Sequence, residues 1–327
     1  MPKTILTLEP VTDEYYPEGV RSLTPGNEHN EASMREKWRG DVELLNRERA
    51  AMLEAFREAG VPVLLMPSPS RAYKTKHDVR ESVQYVRDTM VGGQDGRVLL
   101  FNIKTQARSV ETEVSRKYLE AMGLDVIESS RGFNEGGNSR MLYRADGPWM
   151  FASTSVRSSR EALLEQAEFL KVPEDQRLIM NIQKGFHFDC GFMILTDESE
   201  AFHAVVHRKA FDAPSNHRLD AFARTHEIEL MDATDEDAES MALNQLFTHG
   251  ASFRSAPFSQ DETESRWTSI PGVDIYTTPL TENRHTGGQN HCLTQEIYSP
   301  KPMDLDAVNR RLSAYPDLFE GAKARFL

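Results

Sequence analysis

Cys292 closes a glycine turn, Thr286-Gly287-Gly288-Gln289-Asn290-His291-Cys292, late in a sequence of 327 residues. Paired glycines let the backbone bend sharply and approach a ligand. A thiol at the end of such a turn can therefore face a cleft, and as a thiolate it is a nucleophile. A second segment, His187-Phe188-Asp189, supplies a base with a carboxylate two residues on. Read as part of a strand over Phe188–Leu195, that spacing puts His187 and Asp189 on one face. Cys190, the other of two cysteines, would then face away from His187, toward the core, as a small hydrophobe. Arg87-Asp88, at the end of a weak strand over Tyr85–Met90, and Glu135-Gly136-Gly137-Asn138 each add a carboxylate, the second just before two glycines. Singly, each has an ordinary structural explanation: an ion pair, a turn, a hydrogen-bonded histidine, a core cysteine. Together they point to covalent catalysis by a thiol, with a base and carboxylates around it.

The elements that must position these residues alternate between strand and helix. Short apolar runs predict strands at Thr4–Leu8, Val61–Met66, Arg97–Asn102, Leu124–Glu128, Trp149–Ala152, Leu178–Ile182, Ala201–Val206 and Val273–Thr277. Helical spacing of Trp38, Leu45, Met52 and Phe56 predicts a helix over 34–59, ended by Gly60. Further helices are predicted near 106–122, 159–170, 216–225, 235–247 and 304–313. Gly92-Gly93-Gln94-Asp95-Gly96 reads as a hairpin turn, because it lacks the lysine of a phosphate loop. The polar stretch 249–270 reads as an insertion or a mobile loop. No linker rich in Pro, Gly or Ser divides the chain, which therefore reads as one α/β domain over 1–327.

Composition narrows the partners. A net charge of -13 argues against nucleic acid and anionic membrane surfaces, and suits a cationic small molecule. No run approaches the roughly 18 apolar residues needed to span a membrane. The start of the sequence lacks a signal-peptide pattern, so a cytoplasmic location with both thiols reduced is expected. No glycine fingerprint supports a dinucleotide cofactor. His203 and His207, four apart in a strand-like run, can share a face as metal ligands do, but no third ligand at sensible spacing accompanies them, so no metal is expected.

In order and spacing the motifs resemble those of the pentein-fold guanidine-modifying enzymes: arginine and agmatine deiminases, dimethylarginine dimethylaminohydrolases and amidinotransferases. The resemblance runs through Arg87-Asp88, Glu135-Gly136-Gly137-Asn138, Ser155-Val156-Arg157, His187-Phe188-Asp189 and Gly287-Gly288 to Cys292. Asn138 stands where an aspartate is usual, and Ser158 where a threonine is frequent. The resemblance implies a five-bladed pseudo-symmetric α/β propeller with these motifs at its centre. It implies Cys292 as nucleophile, His187 as acid and base, Glu135 orienting His187, and Asp88 and Asp189 gripping a guanidinium. No cofactor is implied, and a homodimer is a family-level expectation. Arg157 and Arg284 are candidates for a substrate carboxylate. The expected activity is hydrolysis at the guanidino or ureido carbon of an arginine-like molecule, releasing ammonia or an alkylamine. An amidinotransferase using the same residues is the alternative, although the amidinotransferases' Glu-Trp-Asp-Pro-type opening is missing. A third possibility is a non-catalytic arginine-binding pentein, which would have no reason to retain the thiol.

Overall fold

The computed structural model describes residues 3–9, 41–77, 81–105, 108–185, 187–285 and 288–327. Its strands are β1 (Lys3–Leu8), β2 (Val63–Met66), β3 (Met90–Gly92), β4 (Arg97–Leu100), β5 (Asp125–Glu128), β6 (Ser139–Arg144), β7 (Gly147–Thr154) and β8 (Arg177–Asn181). They continue with β9 (Phe192–Thr196), β10 (Phe202–Val206), β11 (Glu229–Asp232), β12 (Leu246–Thr248), β13 (Ala251–Arg254), β14 (Asp274–Thr277), β15 (Gln295–Tyr298) and β16 (Arg325–Phe326).

These strands form five small sheets on one plan. In β3-β4-β5, β6-β7-β8, β9-β10-β11 and β12-β13-β14 an antiparallel pair is followed by a parallel one. Antiparallel neighbours need only a tight turn, whereas parallel neighbours need a long crossover. Helices Ser109–Met122, Arg160–Phe169, Ala213–Thr225 and Asp261–Thr268 supply the four crossovers. The fifth sheet repeats the plan from distant parts of the sequence. β15 pairs antiparallel with β1, β1 pairs parallel with β2 across helix Val42–Glu58, and β16 adds an outer antiparallel strand. The architecture is thus the five-bladed α/β propeller.

Local sequence explains the helices. Asp41, Ser159 and Asp212 each accept a bond from a first-turn amide, and Gly123 ends helix Ser109–Met122 with φ 72°. The core lies between neighbouring blades. On β7, Trp149 and Phe151 pack toward Phe192, Ile194 and Phe202, while Met150 and Ala152 pack toward Leu99, Phe101 and Leu163. A strand buried on both faces needs apolar residues at successive positions, which is why these runs are continuous rather than alternating.

Several expectations need correction. Phe188–Leu195 is not one strand: Phe188–Cys190 is a 3-10 turn, Gly191 follows, and β9 begins at Phe192. Phe188 is drawn inward to stack on Phe192, with ring centroids 4.8 Å apart. Tyr85–Met90 likewise contains a 3-10 turn, Val86–Thr89, before β3. The helix expected over 235–247 stops at Glu239, because Met241 takes a left-handed φ of 57° and the chain turns toward the centre. Residues 249–270 are not an insertion but part of a blade, holding β13 and helix Asp261–Thr268. The expected hairpin at 92–96 joins β3 to β4, and the part of the 34–59 helix before residue 41 lies outside the described residues.

Candidate active site

Each blade is entered through a short turn, and the candidate site residues lie at these five turns. Val86–Thr89 precedes β3 and presents Asp88; Gly136–Asn138 precedes β6 and follows Glu135. Phe188–Cys190 precedes β9 and presents His187 and Asp189. The turn at 241–243 precedes β12 and delivers Asn244, and that at 290–293 precedes β15 and holds Cys292. The site is therefore assembled from one structural position used five times.

Cys292, His187, Glu135, Asp88 and Asp189 are all buried. A ring nitrogen of His187, a carboxylate oxygen of Asp189 and the sulfur of Cys292 lie within 4.8 Å of one another. The same limit encloses ligand atoms of Asp88, Glu135 and His187. His187 Nε2–H donates to Glu135 Oε2 at 2.7 Å, and His187 Nδ1 lies 3.8 Å from Asp88 Oδ1. The Cys292 thiol donates to Asp189 Oδ2 at 3.4 Å. Thus His187 and Asp189 reach the centre together, through a turn rather than through the pleat of a strand. Cys190 is half-buried, and its thiol meets Asp189 Oδ1 at 3.5 Å instead of entering the apolar core.

Guanidinium groups balance the carboxylates. Arg108 bonds Glu111, Glu135 and Asp88 at 2.8, 2.9 and 3.1 Å, and Arg157 bonds Glu135 at 3.0 Å. Burial alone would raise Glu135, but Arg108 and Arg157 outweigh it and hold the carboxyl well below its usual range. Burial opposes protonation of His187, yet Asp88 and Glu135 prevail and raise its pKa above the ordinary value. For Cys292, burial and then the Asp189 charge push the thiol well above its usual range. Burial and the Asp189 charge thus favour the protonated form of the sulfur, and Asp88 and Glu135 favour that of the imidazole.

Three buried residues that frame the site gave no signal in the sequence. Arg108 is one. His291 donates from Nδ1 to Asp189 Oδ2 at 2.7 Å; burial, with Arg87 and Arg140 nearby, lowers it to about 3, so it is neutral. Asn244 bonds the Cys292 turn and its sulfur. All three are remote in sequence from the motifs or hidden beside a stronger one. Arg140 fixes the framework by donating to the carbonyls of Phe192, Gln245, Asp189 and Leu243. Arg87 pairs with Glu296 at 2.7 Å and donates to the His291 carbonyl at 3.2 Å, tying the Asp88 turn to the Cys292 turn.

Two glycines are required by close approach. A Cβ at Gly137 would lie 2.5 Å from His187 Nδ1, and one at Gly288 would lie 2.6 Å from the Tyr85 ring and 2.8 Å from Cys292 Cβ. Gly137→Ala is expected to displace the imidazole and abolish most turnover while leaving the circular dichroism spectrum unchanged; a fully active variant would show that the imidazole's seat is not critical. Arg108→Met leaves three buried carboxylates short of their shared cation. A destabilisation of about 3–5 kcal/mol is expected in urea titration.

The remaining candidates sort as follows. Asn138 accepts from Ser153 at 3.5 Å, and Ser158 donates to Asn134, so both brace the Glu135 turn. Arg157 is engaged with Glu135. The side chain of Arg284 and the residues Thr286 and Gly287 lie outside the described residues. His203 bonds Glu229 and Asp197, whereas His207 bonds Asp235, so each has its own acidic partners. The central groups are spaced as metal ligands would be, but Glu135 Oε2 already accepts from two guanidinium groups, which a divalent cation would meet as neighbouring positive charge. Among the described residues no helix is long and apolar enough to cross a membrane.

No protein-family model matches the sequence, and no curated protein does. Solved structures do. The N-terminal domain of ArgZ, an arginine dihydrolase from the ornithine-ammonia cycle in cyanobacteria, was solved as a Cys-to-Ser mutant bound to substrate. It is similar over 91% of this chain and 99% of that one, with 19% identity and a TM-score of 0.71. AgrE, in a ternary complex with ornithine and NAD+, matches 93% of this chain with 18% identity and a TM-score of 0.72; the match spans 40% of AgrE. A dimethylarginine dimethylaminohydrolase adduct with S-methyl-L-thiocitrulline matches 91% of this chain and 100% of that one, with 15% identity and a TM-score of 0.64. Five blades of one β-β-α-β plan, together with these neighbours, establish that the chain has the pentein fold of the guanidine-modifying enzymes.

Proposed function

We propose that this protein is a hydrolase that attacks the guanidino carbon of an arginine-like small molecule through a covalent Cys292 intermediate. The observation that carries the reading is the pair of buried groups that share His187: one with Cys292 and Asp189, the other with Asp88 and Glu135, each with its ligand atoms within 4.8 Å of one another. A guanidinium is planar, cationic and resistant to water, and paired carboxylates grip its N–H fork in bidentate fashion. Asp88 and Asp189, both buried and both near His187, are the pair assigned to that grip. Neighbours of this fold include an arginine dihydrolase and a dimethylarginine dimethylaminohydrolase, which supports the substrate class.

The chemistry follows from the charges. A bound cation between Asp88 and Asp189 offsets part of their negative charge and so eases loss of the Cys292 proton, which burial and then the Asp189 charge oppose. That proton passes to bulk water, to be taken back when the sulfur is released at the end, and the thiolate adds to the guanidino carbon, forming a C–S bond. His187, as imidazolium, gives its proton to the departing nitrogen, and the C–N bond breaks to release ammonia or an alkylamine. Neutral His187 then takes a proton from water, whose oxygen adds to the same carbon. The C–S bond breaks, and a ureido product leaves with the thiol restored. Glu135 holds the imidazole by Nε2 and stabilises its charged form throughout.

The deciding experiment incubates the protein with arginine, methylarginines, agmatine and citrulline, with and without glycine, and follows ureido products and released amine. Ureido product without an acceptor is expected. Guanidinoacetate formed only when glycine is present would instead establish amidino transfer and overturn the hydrolase reading.

A further inference from the structure

Cys292 Sγ has a neighbour that no motif signals. Asn244 is fully buried, and its Nδ2 lies 3.2 Å from the sulfur. Its Oδ1 accepts from the Gln289 and Cys292 amides at 3.2 and 3.4 Å, and its main-chain carbonyl accepts from the His291 amide at 3.3 Å. Those two side-chain bonds fix the orientation of the amide. Reversing it would set an NH2 group against two backbone N–H groups, so the nitrogen must face the sulfur.

We propose that Asn244 is a further catalytic residue, whose side-chain N–H stabilises the Cys292 sulfur as negative charge develops on it. The proposal rests on the reading of Cys292 as nucleophile. Among the described residues, the sulfur's other polar contact is the Asp189 carboxylate, which opposes a thiolate. Asn244 supplies the opposing influence without a charge of its own. That neutrality matters, because a lysine or arginine in its place would pair with Asp189 and repel a cationic substrate. The donor is held before the reaction begins, so no reorganisation is needed as the charge appears. Asn244 also lies at the entrance of its blade, as Asp88, Glu135, Asp189 and Cys292 lie at the entrances of theirs. All five blade entrances then contribute a reacting or charge-stabilising group.

The test measures sulfur reactivity rather than turnover. Unliganded wild-type, Asn244→Asp and Asn244→Leu proteins are treated with iodoacetamide across a pH series, and Cys292 alkylation is counted by peptide mass spectrometry apart from Cys190. The Asp variant keeps the two acceptor bonds but replaces the donor, and so should fold; the Leu variant removes the donor without adding charge. Both are expected to alkylate Cys292 at least about tenfold more slowly at pH 8, a shift of one pH unit or more in the profile. With a substrate, kcat should fall while KM changes little. A wild-type alkylation profile in either folded variant overturns the proposal; the Leu variant is decisive, because it removes the donor without adding the negative charge that would by itself slow alkylation in the Asp variant. Failure of the nucleophile reading would look different: Cys292→Ser would stay active whatever the alkylation profiles are.

Discussion

Cys292→Ser is expected to release ammonia from a guanidino substrate at least about a thousandfold more slowly than the unaltered protein. The substitution is nearly isosteric in a buried turn, so the melting temperature should change little. The loss is chemical: a serine hydroxyl beside the Asp189 carboxylate has no accessible anion, and the C–S intermediate cannot form. Intact-mass spectrometry of quenched reactions should show an adduct on the unaltered protein and none on the variant. Substrate binding, measured by calorimetry, should persist, since Asp88 and Asp189 remain. A Ser variant with full activity would remove the mechanism entirely.

His187→Gln is expected to lower kcat by about 10²–10⁴-fold, the range of a positioned acid–base group, with KM nearly unchanged. The same substitution should leave a signature in stability. Folding raises the pKa of His187 above its ordinary 6.5, because Asp88 and Glu135 outweigh the effect of burial. A group raised on folding contributes stability that is fully present below its unfolded pKa and is lost as pH rises through its folded pKa. The stability difference between the unaltered protein and the variant should therefore be largest below about pH 6.5 and shrink above it. Urea titrations at several pH values test this. A difference that grows with pH would mean that the imidazole is neutral in its resting state.

The sequence made the site more legible than the path to it. Cys292, His187, Asp88 and Glu135 stand in short motifs whose residue types have few other uses in combination, and the structure brings all four together with Asp189. The strand–helix alternation also emerged, because strands such as β7 are buried on both faces and read as continuous apolar runs. The 3-10 turns did not emerge. Phe188–Cys190 looks like the start of a strand because Phe188 and Phe192 are both core residues, and only their mutual stacking reveals the turn between them. In the blade at 246–277 the expected strand over Val273–Thr277 is present as β14, but β12 and β13 were missed for the opposite reason: both are short, and much of their stretch is polar. Asn244 sits within the span expected to be helix, and a left-handed residue at Met241 is not visible as a pattern. Arg108 and His291 act through partners far away in sequence, which no local reading supplies.

The closing of the ring also has a consequence for the order of assembly. Cys292 enters β15, and β15 finds its partner in β1, the earliest described strand; Thr7 Oγ1 even donates to the Leu293 carbonyl at 2.7 Å. Four blades can form from residues adjacent in sequence, but this one waits for nearly three hundred residues to be made. Pairings at such separation are slow to form, because a long loop must be closed before any contact rewards it. A growing polypeptide thus carries His187 and its carboxylates long before it carries a seated thiol. The seat of Cys292 is the last part of the candidate site to be assembled.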